Sequence, residues 1–500
     1  MLTRLKVRGF KNLIDVDVRF GPFTCIAGAN GVGKSNLFDA IAFLSALADK
    51  PLLEAALSIR DETCRSGDIR GLFHRVGEEY AETMSFETEM IVPLLGTDDL
   101  GQAATATITF LCYQIKLAYR KDNGSRSLGG LELMEESLSH IRIGDASDHL
   151  RFPHDAGQWR KSAVRGRLEG HRTVPFISTG EDGASRVIKI HRDGGGQGRP
   201  RSLLASNLPR TALSVINAAE SPTATMARNE MRSWRLLQLE PSCLRKPDAF
   251  TAPVKLGSDG SHLPATLYHL ASMHDPGTGG DAQAGIRVYG QVANRLAQLI
   301  DDVRGVSVDR DDRRELLTLY VTGRDGTSHP ARALSDGTLR FLALAALEVD
   351  PEATGLLCLE EPENGIHPAR IPAMLRLLED MATDVRVPLA GDNPLRQVIV
   401  NTHSPAVVAQ VADEDVLIAE VRESIGVDGA RFSRLSFGCL DGTWRAATGD
   451  TPITAPGSFL PYLNPMKAEF GALSGHGRGL NKRRRIADRK EFQIALPFGA

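Results

Sequence analysis

Eight residues near the start of the chain have the types and spacing of a phosphate-binding loop. In order they are Gly28, Ala29, Asn30, Gly31, Val32, Gly33, Lys34 and Ser35. Glycines let the chain curl so that successive backbone N–H groups point into one concavity. The Lys34 ammonium could then reach the β- and γ-phosphates of a nucleotide, and the Ser35 hydroxyl could bind Mg²⁺. An apolar run precedes the loop and an amphipathic stretch follows it, which argues against a chance glycine-rich turn.

A second apolar run, 356–359, ends in the carboxylates of Glu360 and Glu361. A buried strand that ends in two carboxylates suits phosphoryl transfer, with one group for Mg²⁺ and the other for the attacking water. Taken alone, the two glutamates could equally be a solvated pair on the surface. The two glutamates indicate a functional site only in combination with the other motifs of the chain.

Two further groups of polar residues also lie at the ends of predicted elements. Ser335, Asp336 and Gly337 begin an apolar helix, where a hydroxyl, free N–H groups and the helix dipole could meet a phosphate. His403 follows the apolar run 398–400 and could donate a hydrogen bond to a γ-phosphate. Alone, the first group would be a helix cap and the second a structural histidine. Ligands of α/β proteins lie at the carboxyl ends of strands, and the loop, the glutamates and His403 obey that rule.

The elements that must position these residues follow from hydrophobic periodicity. The pattern predicts strands near 2–8, 14–20, 81–92, 105–119, 305–322, 355–359, 397–400 and 416–421. It predicts helices over about 34–48, from 222, over about 281–302, from 335 and near 368–382. Glycine, proline and serine are dense between about 120 and 305, and no sustained heptad pattern occurs there. This stretch is therefore expected to be a compact accessory lobe.

Composition narrows the class of protein. The chain has 500 residues, of which 42% are hydrophobic and 24% charged, and a net charge of −3. The length suggests two or three lobes, and the charge gives no overall attraction to nucleic acid or membrane. No apolar run is long enough for a membrane span, and the first residues lack the core of a signal peptide. The six cysteines include no Cys-x-x-Cys pair, which is typical of reduced thiols. A cytoplasmic protein with no membrane partner is expected.

Together the motifs resemble those of the ABC-type ATPases of the SMC, RecF and OLD group. Residues 28–35 match the Walker A motif, 334–338 the signature loop, and 356–361 the Walker B motif with its catalytic glutamate. Asn364-Gly365-Ile366-His367 falls at the D-loop and His403 at the switch histidine, while Phe10-Lys11-Asn12 and Ser35-Asn36 are typical of the group. Leu239-x-Pro241, Leu244-Arg245-x-Pro247 and Asp259-Gly260-Ser261-His262-Leu263 are similar to segments of AAA/ABC ATPases in bacterial repair and anti-phage operons.

The resemblance implies an α/β fold: a P-loop NTPase with an ABC ATPase head, whose mixed sheet is flanked by helices and interrupted by an α+β accessory insert. The implied divisions are lobe I over 1–118, the insert over 119–305, lobe II over 306–435 and a polar, basic tail over 436–500. The tail contains the basic run Lys482-Arg483-Arg484-Arg485, with Arg489 and Lys490.

The resemblance also assigns roles, with ATP and Mg²⁺ as cofactors. The catalytic residues are Lys34, Glu361 and His403, and the metal ligands are Ser35 and Glu360. The nucleotide-binding residues are Lys11, Asn12, Gly28, Ala29, Asn30, Gly31, Val32, Gly33, Lys34, Ser35, Asn36, Ser335, Asp336 and Gly337. Two heads are expected to enclose two ATP molecules, each signature loop facing the Walker A motif of the other chain.

The sequence departs from the family pattern at several places. Glu360 stands where transporter ATPases usually have aspartate, and His367 replaces the usual D-loop aspartate. Gln102 and Gln114 are the candidates for the Q-loop glutamine, and neither is compelling. OLD proteins carry a TOPRIM nuclease, but residues 416–420 lack the Glu-Gly that would open it, so no nuclease is expected in this polypeptide.

Three hypotheses for function remain at this stage. The first is an ATP-gated clamp on DNA, or the ATPase of a repair or anti-phage complex whose nuclease or toxin effector is a separate chain. The second is the ATPase subunit of an ABC transporter. Against it, roughly 300 residues separate Ser35 from Ser335, far more than is usual in transporters. The third is a scaffold that does not hydrolyse ATP, which the complete set of motif residues disfavours.

Overall fold

The computed structural model describes residues 1–59, 69–120, 129–166, 174–183, 185–193, 199–273, 282–425 and 431–455. Its strands are β1 (Leu2–Phe10), β2 (Leu13–Arg19), β3 (Phe23–Ala27), β4 (Arg75–Val76), β5 (Glu79–Tyr80), β6 (Thr83–Ile91), β7 (Leu95–Thr97), β8 (Ala103–Thr105), β9 (Phe110–Arg120), β10 (Gly130–His140), β11 (Ile177–Asp182), β12 (Ser185–Ile190), β13 (Arg201–Leu204), β14 (Arg235–Leu237), β15 (Asp248–Ala249), β16 (Val303–Asp311), β17 (Leu316–Gly323), β18 (Ser328–Pro330), β19 (Gly355–Glu360), β20 (Arg396–Thr402), β21 (Val416–Ile425) and β22 (Arg431–Gly438). The basic run of the tail lies outside the described residues.

The α-helices are α1 (Lys34–Leu47), α2 (Leu52–Leu57), α3 (Ala146–His149), α4 (Trp159–Ala163), α5 (Pro222–Arg232), α6 (Pro241–Leu244), α7 (Leu263–Met273), α8 (Ala282–Leu299), α9 (Asp336–Val349), α10 (Ile371–Met381), α11 (Pro405–Val408) and α12 (Trp444–Thr448). Short 3-10 turns occur at Ile69–Leu72, Ile143–Asp145, Ala205–Asn207, Leu213–Val215, Ala331–Ala333, Pro368–Arg370 and Asp413–Asp415. None of the helices in the described ranges is long and apolar enough to cross a membrane.

The sheet that carries the motifs has the order β14-β19-β20-β3-β21-β22. Its first five strands are parallel, and β22 runs antiparallel to β21. β3, β19 and β20 are buried on both faces apart from the last residue of β19, as parallel strands covered by helices are. Their carboxyl ends meet at one edge. The phosphate-binding loop, the two glutamates and His403 therefore all start from the same edge of the sheet.

A second sheet, with eight strands among the described residues, has the order β13-β12-β11-β10-β9-β6-β1-β2 and is antiparallel throughout. The predicted opening pair is present as β1 and β2. Their inward side chains pack with the α1 helix in one core, where Phe10, Phe43 and Phe86 contact each other through their rings. This core holds α1 and its preceding loop against the sheet.

A third, smaller sheet forms from β15, β16, β17 and β18. It shares a core with α7, α8, α9 and α10, in which Val292, Leu296 and Phe341 are fully buried. The amphipathic pattern of α8 predicted such burial. This core covers one face of the parallel sheet, so α9, which begins at the signature loop, is fixed against the strands that carry the glutamates.

Residues of the predicted insert, 119–305, are distributed over all three sheets. β10 to β13 extend the antiparallel sheet, β14 joins the parallel sheet beside β19, and β15 joins the third. The described part of this stretch thus contributes to the head itself. The boundaries at 118 and 305, with the tail division, stay a prediction. The fold class, an α/β P-loop head with a mixed sheet and flanking helices, is confirmed.

Candidate functional site

One cavity of about 500 Å³ lies at the carboxyl ends of β3, β19 and β14. It is bounded by the phosphate-binding loop, the Walker B glutamates and the segment after β14. The lining residues are Asn30, Gly31, Gly33, Lys34, Ser35, Leu237, Gln238, Leu239, Glu240, Arg340, Leu344, Leu359, Glu360, Glu361, Pro362, Asn364 and Asn401. Groups that stand more than 300 residues apart in the sequence therefore face one space, which is large enough for a nucleotide phosphate chain.

The loop is braced by the turn between β1 and β2. Gly33 has φ +96°, and a Cβ there would lie 2.0 Å from Asn12 Nδ2, so only glycine fits. Asn12 Nδ2 donates to Val32 O at 3.1 Å, and Asn36 Nδ2 donates to Asn12 Oδ1 at 2.8 Å. Neighbouring Lys11 forms an ion pair of 2.9 Å with Asp39 of α1. Lys11 and Asn12 thus support the loop from behind and are outside the cavity lining, as are Gly28, Ala29, Val32 and Asn36 of the predicted binding residues.

Lys34 is the cation that the phosphate-binding loop places in the cavity. Its side chain is buried, and Nζ donates to Gly28 O at 2.7 Å and to Ala29 O at 2.9 Å. Burial lowers the pKa of Lys34, while the carboxylates of Glu361, Glu363 and Glu360 raise it. The ammonium is therefore held by weak neutral acceptors that a phosphate could replace.

Glu361 is held on three sides. Its backbone has φ +45°, a left-handed conformation that costs a non-glycine residue about 1 kcal/mol or more. Its N–H donates to Asn401 O at 3.0 Å, which fixes that turn against β20. Asn364 Nδ2 donates to Glu361 Oε2 at 2.9 Å, and His403 Nδ1 lies 2.5 Å from Oε1. The structure thus joins the predicted catalytic glutamate directly to the predicted switch histidine.

The residues predicted for Mg²⁺ fit that ion. Ser35 and Glu360 line the same cavity, and Asn401 Nδ2 donates to Glu360 Oε1 at 3.5 Å. Among the described residues no three histidines, cysteines or acids are grouped as a metal site. A Mg²⁺ site of a nucleotide enzyme needs no such group, because Mg²⁺ keeps several waters and takes one or two protein ligands plus phosphate oxygens.

Glu363 is a third acid that the sequence did not single out. It is 7% exposed, Thr402 Oγ1 donates to its Oε1, and burial raises its pKa. Thr402 precedes His403, and its Oγ1 also accepts from Ser404 N at 2.9 Å. Glu363 therefore ties the turn after the Walker B motif to the turn that carries His403. Its position three residues after Glu360 was visible in the sequence, but its burial was not.

Gln238 and Arg340 also line the cavity, and neither was predicted from the sequence. Gln238 follows β14 and lines the cavity beside Glu240. The two glutamines named from sequence lie elsewhere: Gln114 Nε2 donates to Glu87 Oε2 at 3.1 Å on the antiparallel sheet, and Gln102 lies by the β7–β8 hairpin. Of these three glutamines, Gln238 is the one that lines the cavity. The three-residue strand before it was too short to predict.

The signature loop lies outside this cavity. Ser335 is exposed and caps α9, its Oγ accepting from Thr338 N at 3.2 Å, and Asp336 is exposed beside it. Gly337 packs on the D-loop, because a Cβ there would lie 2.1 Å from Gly365 O. His367 also has a structural contact, accepting from Ala369 N at 3.2 Å. Within one chain, Ser335, Asp336 and Gly337 are therefore not brought to Lys34.

Comparison with known families agrees with this geometry. Residues 23–89 and 281–409 match the model of a family described as "AAA domain, putative AbiEii toxin, Type IV TA system". The two matched segments contain the phosphate-binding loop, the signature loop, the paired glutamates and His403. These matches support an SMC/RecF-like ABC ATPase head in this chain.

Individual relatives of the SMC/RecF-like head are distant. Over 45 residues the chain is 49% identical to the DNA replication and repair protein RecF of Magnetococcus marinus, which is 9% of this chain and 12% of that protein. A crystal structure of the Smc head bound to the C-winged helix domain of ScpA is similar over 88% of this chain and 98% of its own, with 14% identity and a TM-score of 0.45. The SMC head domain from Thermotoga maritima is similar over 88% of this chain and 99% of its own, with 12% identity and a TM-score of 0.36.

Proposed function

We propose that the SMC/RecF-like head binds ATP with Mg²⁺ and hydrolyses it. The observation that carries this proposal is the single cavity shared by Lys34, Ser35, Glu360 and Glu361. The loop amides, the N-terminus of α1 and Lys34 supply positive potential for the phosphates. Mg²⁺ held by Ser35 and Glu360 would neutralise further phosphate charge.

Glu361 is the group proposed to orient the attacking water and accept its proton. In the structure its two oxygens contact Asn364 and His403. A water can still use the remaining lone pairs of these oxygens, but His403 can turn to a γ-phosphate only when it leaves Glu361. A hydrogen bond from His403 to a γ-phosphate thus requires a rearrangement of the turn that carries His403. This is a reason to expect slow turnover by an isolated chain.

We propose that closure of two heads supplies that rearrangement. Ser335 is exposed and outside its own chain's cavity, yet it caps a helix whose N–H groups suit a phosphate. Gly337 contacts Gly365, and Asn364 next to it holds Glu361. A nucleotide of a second chain that docks on Ser335 would therefore push on the segment that restrains the catalytic glutamate. The functional unit is a dimer with two shared sites.

Mixing two inactive variants tests the shared sites. A Ser335→Arg chain blocks the signature loop, and a Lys34→Ala chain lacks the phosphate-binding cation. Each alone is expected to show no ATPase activity. In a one-to-one mixture half of the dimers would be heterodimers, and one of the two sites in each heterodimer has both functional halves. Activity should therefore return to at most about a quarter of the wild-type value. Titrating the mixture by ATPase assay measures this, and no recovery at any ratio contradicts sharing in trans.

We propose that the output is a change of shape in DNA repair or anti-phage defence, acting on DNA or on a separate nuclease or toxin chain. The description of the matching family model names a toxin of a Type IV TA system, and the name of the matched relative refers to DNA replication and repair. ATP would close the heads and hydrolysis would open them, biasing whatever is docked. Surfaces of residues 119–305 and of the tail are the proposed docking regions.

The purified chain is expected to hydrolyse ATP slowly and to leave DNA uncut. The described residues contain no metal-nuclease cluster, which is the reason for this expectation. Incubation with linear and circular DNA, Mg²⁺ and ATP, followed by gel electrophoresis, measures it. Cleavage by the lone chain that also disappears in a Glu360→Ala variant would contradict the separate-effector proposal.

Two alternatives stand beside this proposal. A transporter ATPase subunit would use the same cavity, but its partner would be a membrane protein. A scaffold that does not hydrolyse ATP would keep the fold and bind nucleotide only. Wild-type turnover with a rate that depends on Glu361 separates the scaffold from the proposed ATPase.

A further inference from the structure

A short segment after β14 touches both the nucleotide cavity and the signature loop. This connecting segment, residues 238–245, begins with Gln238 and Glu240 in the cavity lining. It continues as the single helical turn α6 and ends at Arg245. Arg245 Nη2 donates to Leu334 O at 3.1 Å and to Asp336 Oδ1, on either side of Ser335. Eight residues therefore connect two sites that belong to different nucleotides in the proposed dimer.

The connecting segment is held along its length. Gln238 N donates to Ser258 O at 2.8 Å, and Glu240 N donates to Asp259 O at 2.8 Å. Gly260 in the same loop has φ +86°, and a Cβ there would lie 2.8 Å from Leu244 Cγ. These contacts account for two sequence motifs that the cavity does not use, Leu244-Arg245 and Asp259-Gly260-Ser261. Together they fix α6, and with it Arg245, relative to the cavity.

A second arginine joins the same parts. Arg340 of α9 donates from Nε to Leu239 O at 3.0 Å and from Nη1 to Asn364 O at 2.7 Å. The helix that starts at the signature loop is thus bonded to the connecting segment and to the D-loop. A movement of Gln238 toward or away from a phosphate can therefore be passed to Leu334 and Asp336 through a chain of direct contacts.

We propose that Arg245 is a positioning residue for the signature loop, through which the nucleotide state of one chain sets how that chain's Ser335 meets its partner. An exposed ion pair by itself is worth little. Here the planar guanidinium reaches a backbone carbonyl and a carboxylate on one loop, so it fixes the orientation of that loop. Arg245 is 31% exposed and does not line the cavity, so its loss should spare nucleotide binding. This inference rests on the proposed function, because it presupposes closure of two heads on ATP.

The test uses full-length chain carrying Glu361→Gln, so that ATP is bound but not consumed. Sedimentation velocity over a concentration series gives the dimer dissociation constant with ATP and Mg²⁺. Titration with a fluorescent ATP analogue, at protein concentrations well below that dissociation constant, gives the nucleotide affinity of single chains. Adding Arg245→Ala should weaken the dimer about tenfold to hundredfold, because two charge-assisted contacts are lost in each of two loops. Nucleotide affinity should change less than about twofold.

Further variants separate positioning from general damage. Arg245→Lys keeps the charge but has a shorter side chain without the planar guanidinium, and it should give an intermediate dimer constant. Arg245→Asp combined with Asp336→Arg should recover part of the loss relative to Arg245→Asp alone. Lys255→Ala is the matched control: it removes an exposed ion pair of 3.1 Å with Glu352 in the loop that follows β15, and it should leave the dimer constant unchanged.

The outcomes distinguish the inference from the function beneath it. An Arg245→Ala dimer as tight as that of the Glu361→Gln parent overturns the role of Arg245 while the ATP dimer stands. A parallel fall in single-chain nucleotide affinity also overturns it, since Arg245 would then act on the cavity. No ATP-dependent dimer in the Glu361→Gln parent contradicts the proposed function, and this inference with it.

Discussion

Replacing Lys34 with alanine is expected to abolish ATP binding. Nζ is the cation in the cavity nearest the loop, and three glutamates, Glu360, Glu361 and Glu363, contribute negative potential around it. Without the ammonium, a triphosphate would meet these acids with Mg²⁺, backbone amides and the more distant α9 residue Arg340 to offset them. Loss of one member of a buried charge pair costs about 2–5 kcal/mol, so the affinity should fall at least about thirtyfold. Titration with a fluorescent ATP analogue measures it.

The control for this experiment is Lys116→Ala. Lys116 is a partly exposed lysine of β9 with a 3.8 Å contact to Glu135, it does not line the cavity, and its loss should leave ATP affinity unchanged. Thermal unfolding of the Lys34→Ala chain checks that the loop carbonyls of Gly28 and Ala29 tolerate the change. A Lys34→Ala chain that is folded and binds ATP as the wild type does would contradict the assignment.

The wild-type chain should also lose ATP affinity as the pH rises. Because burial lowers the pKa of Lys34, its ammonium loses the proton at a lower pH than an ordinary lysine does. Only the charged form favours the triphosphate, so the decline should begin below the usual pKa of lysine. Lys34→Arg, whose guanidinium stays charged, should bind more weakly because of its shape but without this decline.

Replacing Glu361 with glutamine is expected to stop hydrolysis while ATP binding persists. Glutamine keeps nearly the same volume and an oxygen that can accept from Asn364, but it cannot take a proton from water. General-base catalysis is typically worth about 10²–10⁴ in rate, and turnover should fall by that factor. The bound ATP then cannot be released by hydrolysis, so closed dimers should accumulate. Steady-state ATPase assays and gel filtration with ATP measure the two effects.

Glu352→Gln is the matched control, since it removes an exposed carboxylate whose contact is Lys255. It should change neither turnover nor assembly. Normal turnover by the Glu361→Gln chain would refute the catalytic assignment. A chain that loses turnover yet stays monomeric with ATP would keep the assignment and refute the sandwich dimer.

The local motifs were readable in the sequence because each needs particular residue types at fixed spacing. Gly33 must be glycine for its backbone and for the nearby Asn12, and Lys34 must follow it to start α1. The strands that end at Ala27, Glu360 and Thr402 are buried nearly throughout, and such strands read as apolar runs. The fold class and the group of catalytic candidates therefore followed from sequence alone.

The tertiary structure decided what depends on contacts between distant segments. β14 has three residues, and it is a strand only because β19 pairs with it. No local periodicity predicts the pairing of β14 with β19, which brings Gln238 to the cavity. The burial of Glu363 likewise depends on β20, which supplies the Thr402 hydroxyl that bonds to it.

The sequence by itself determined that this chain has a glycine-rich loop of the phosphate-binding pattern, a pair of carboxylates and a histidine at strand ends, because side-chain chemistry and local periodicity encode them. The tertiary structure decided that Glu361 is held by Asn364 and His403, that Ser335 lies outside the lining of its own cavity, and that Arg245 reaches the signature loop. These are relations between surfaces brought together by the cores of the sheets. No spacing along one chain specifies them, since they depend on how whole elements pack.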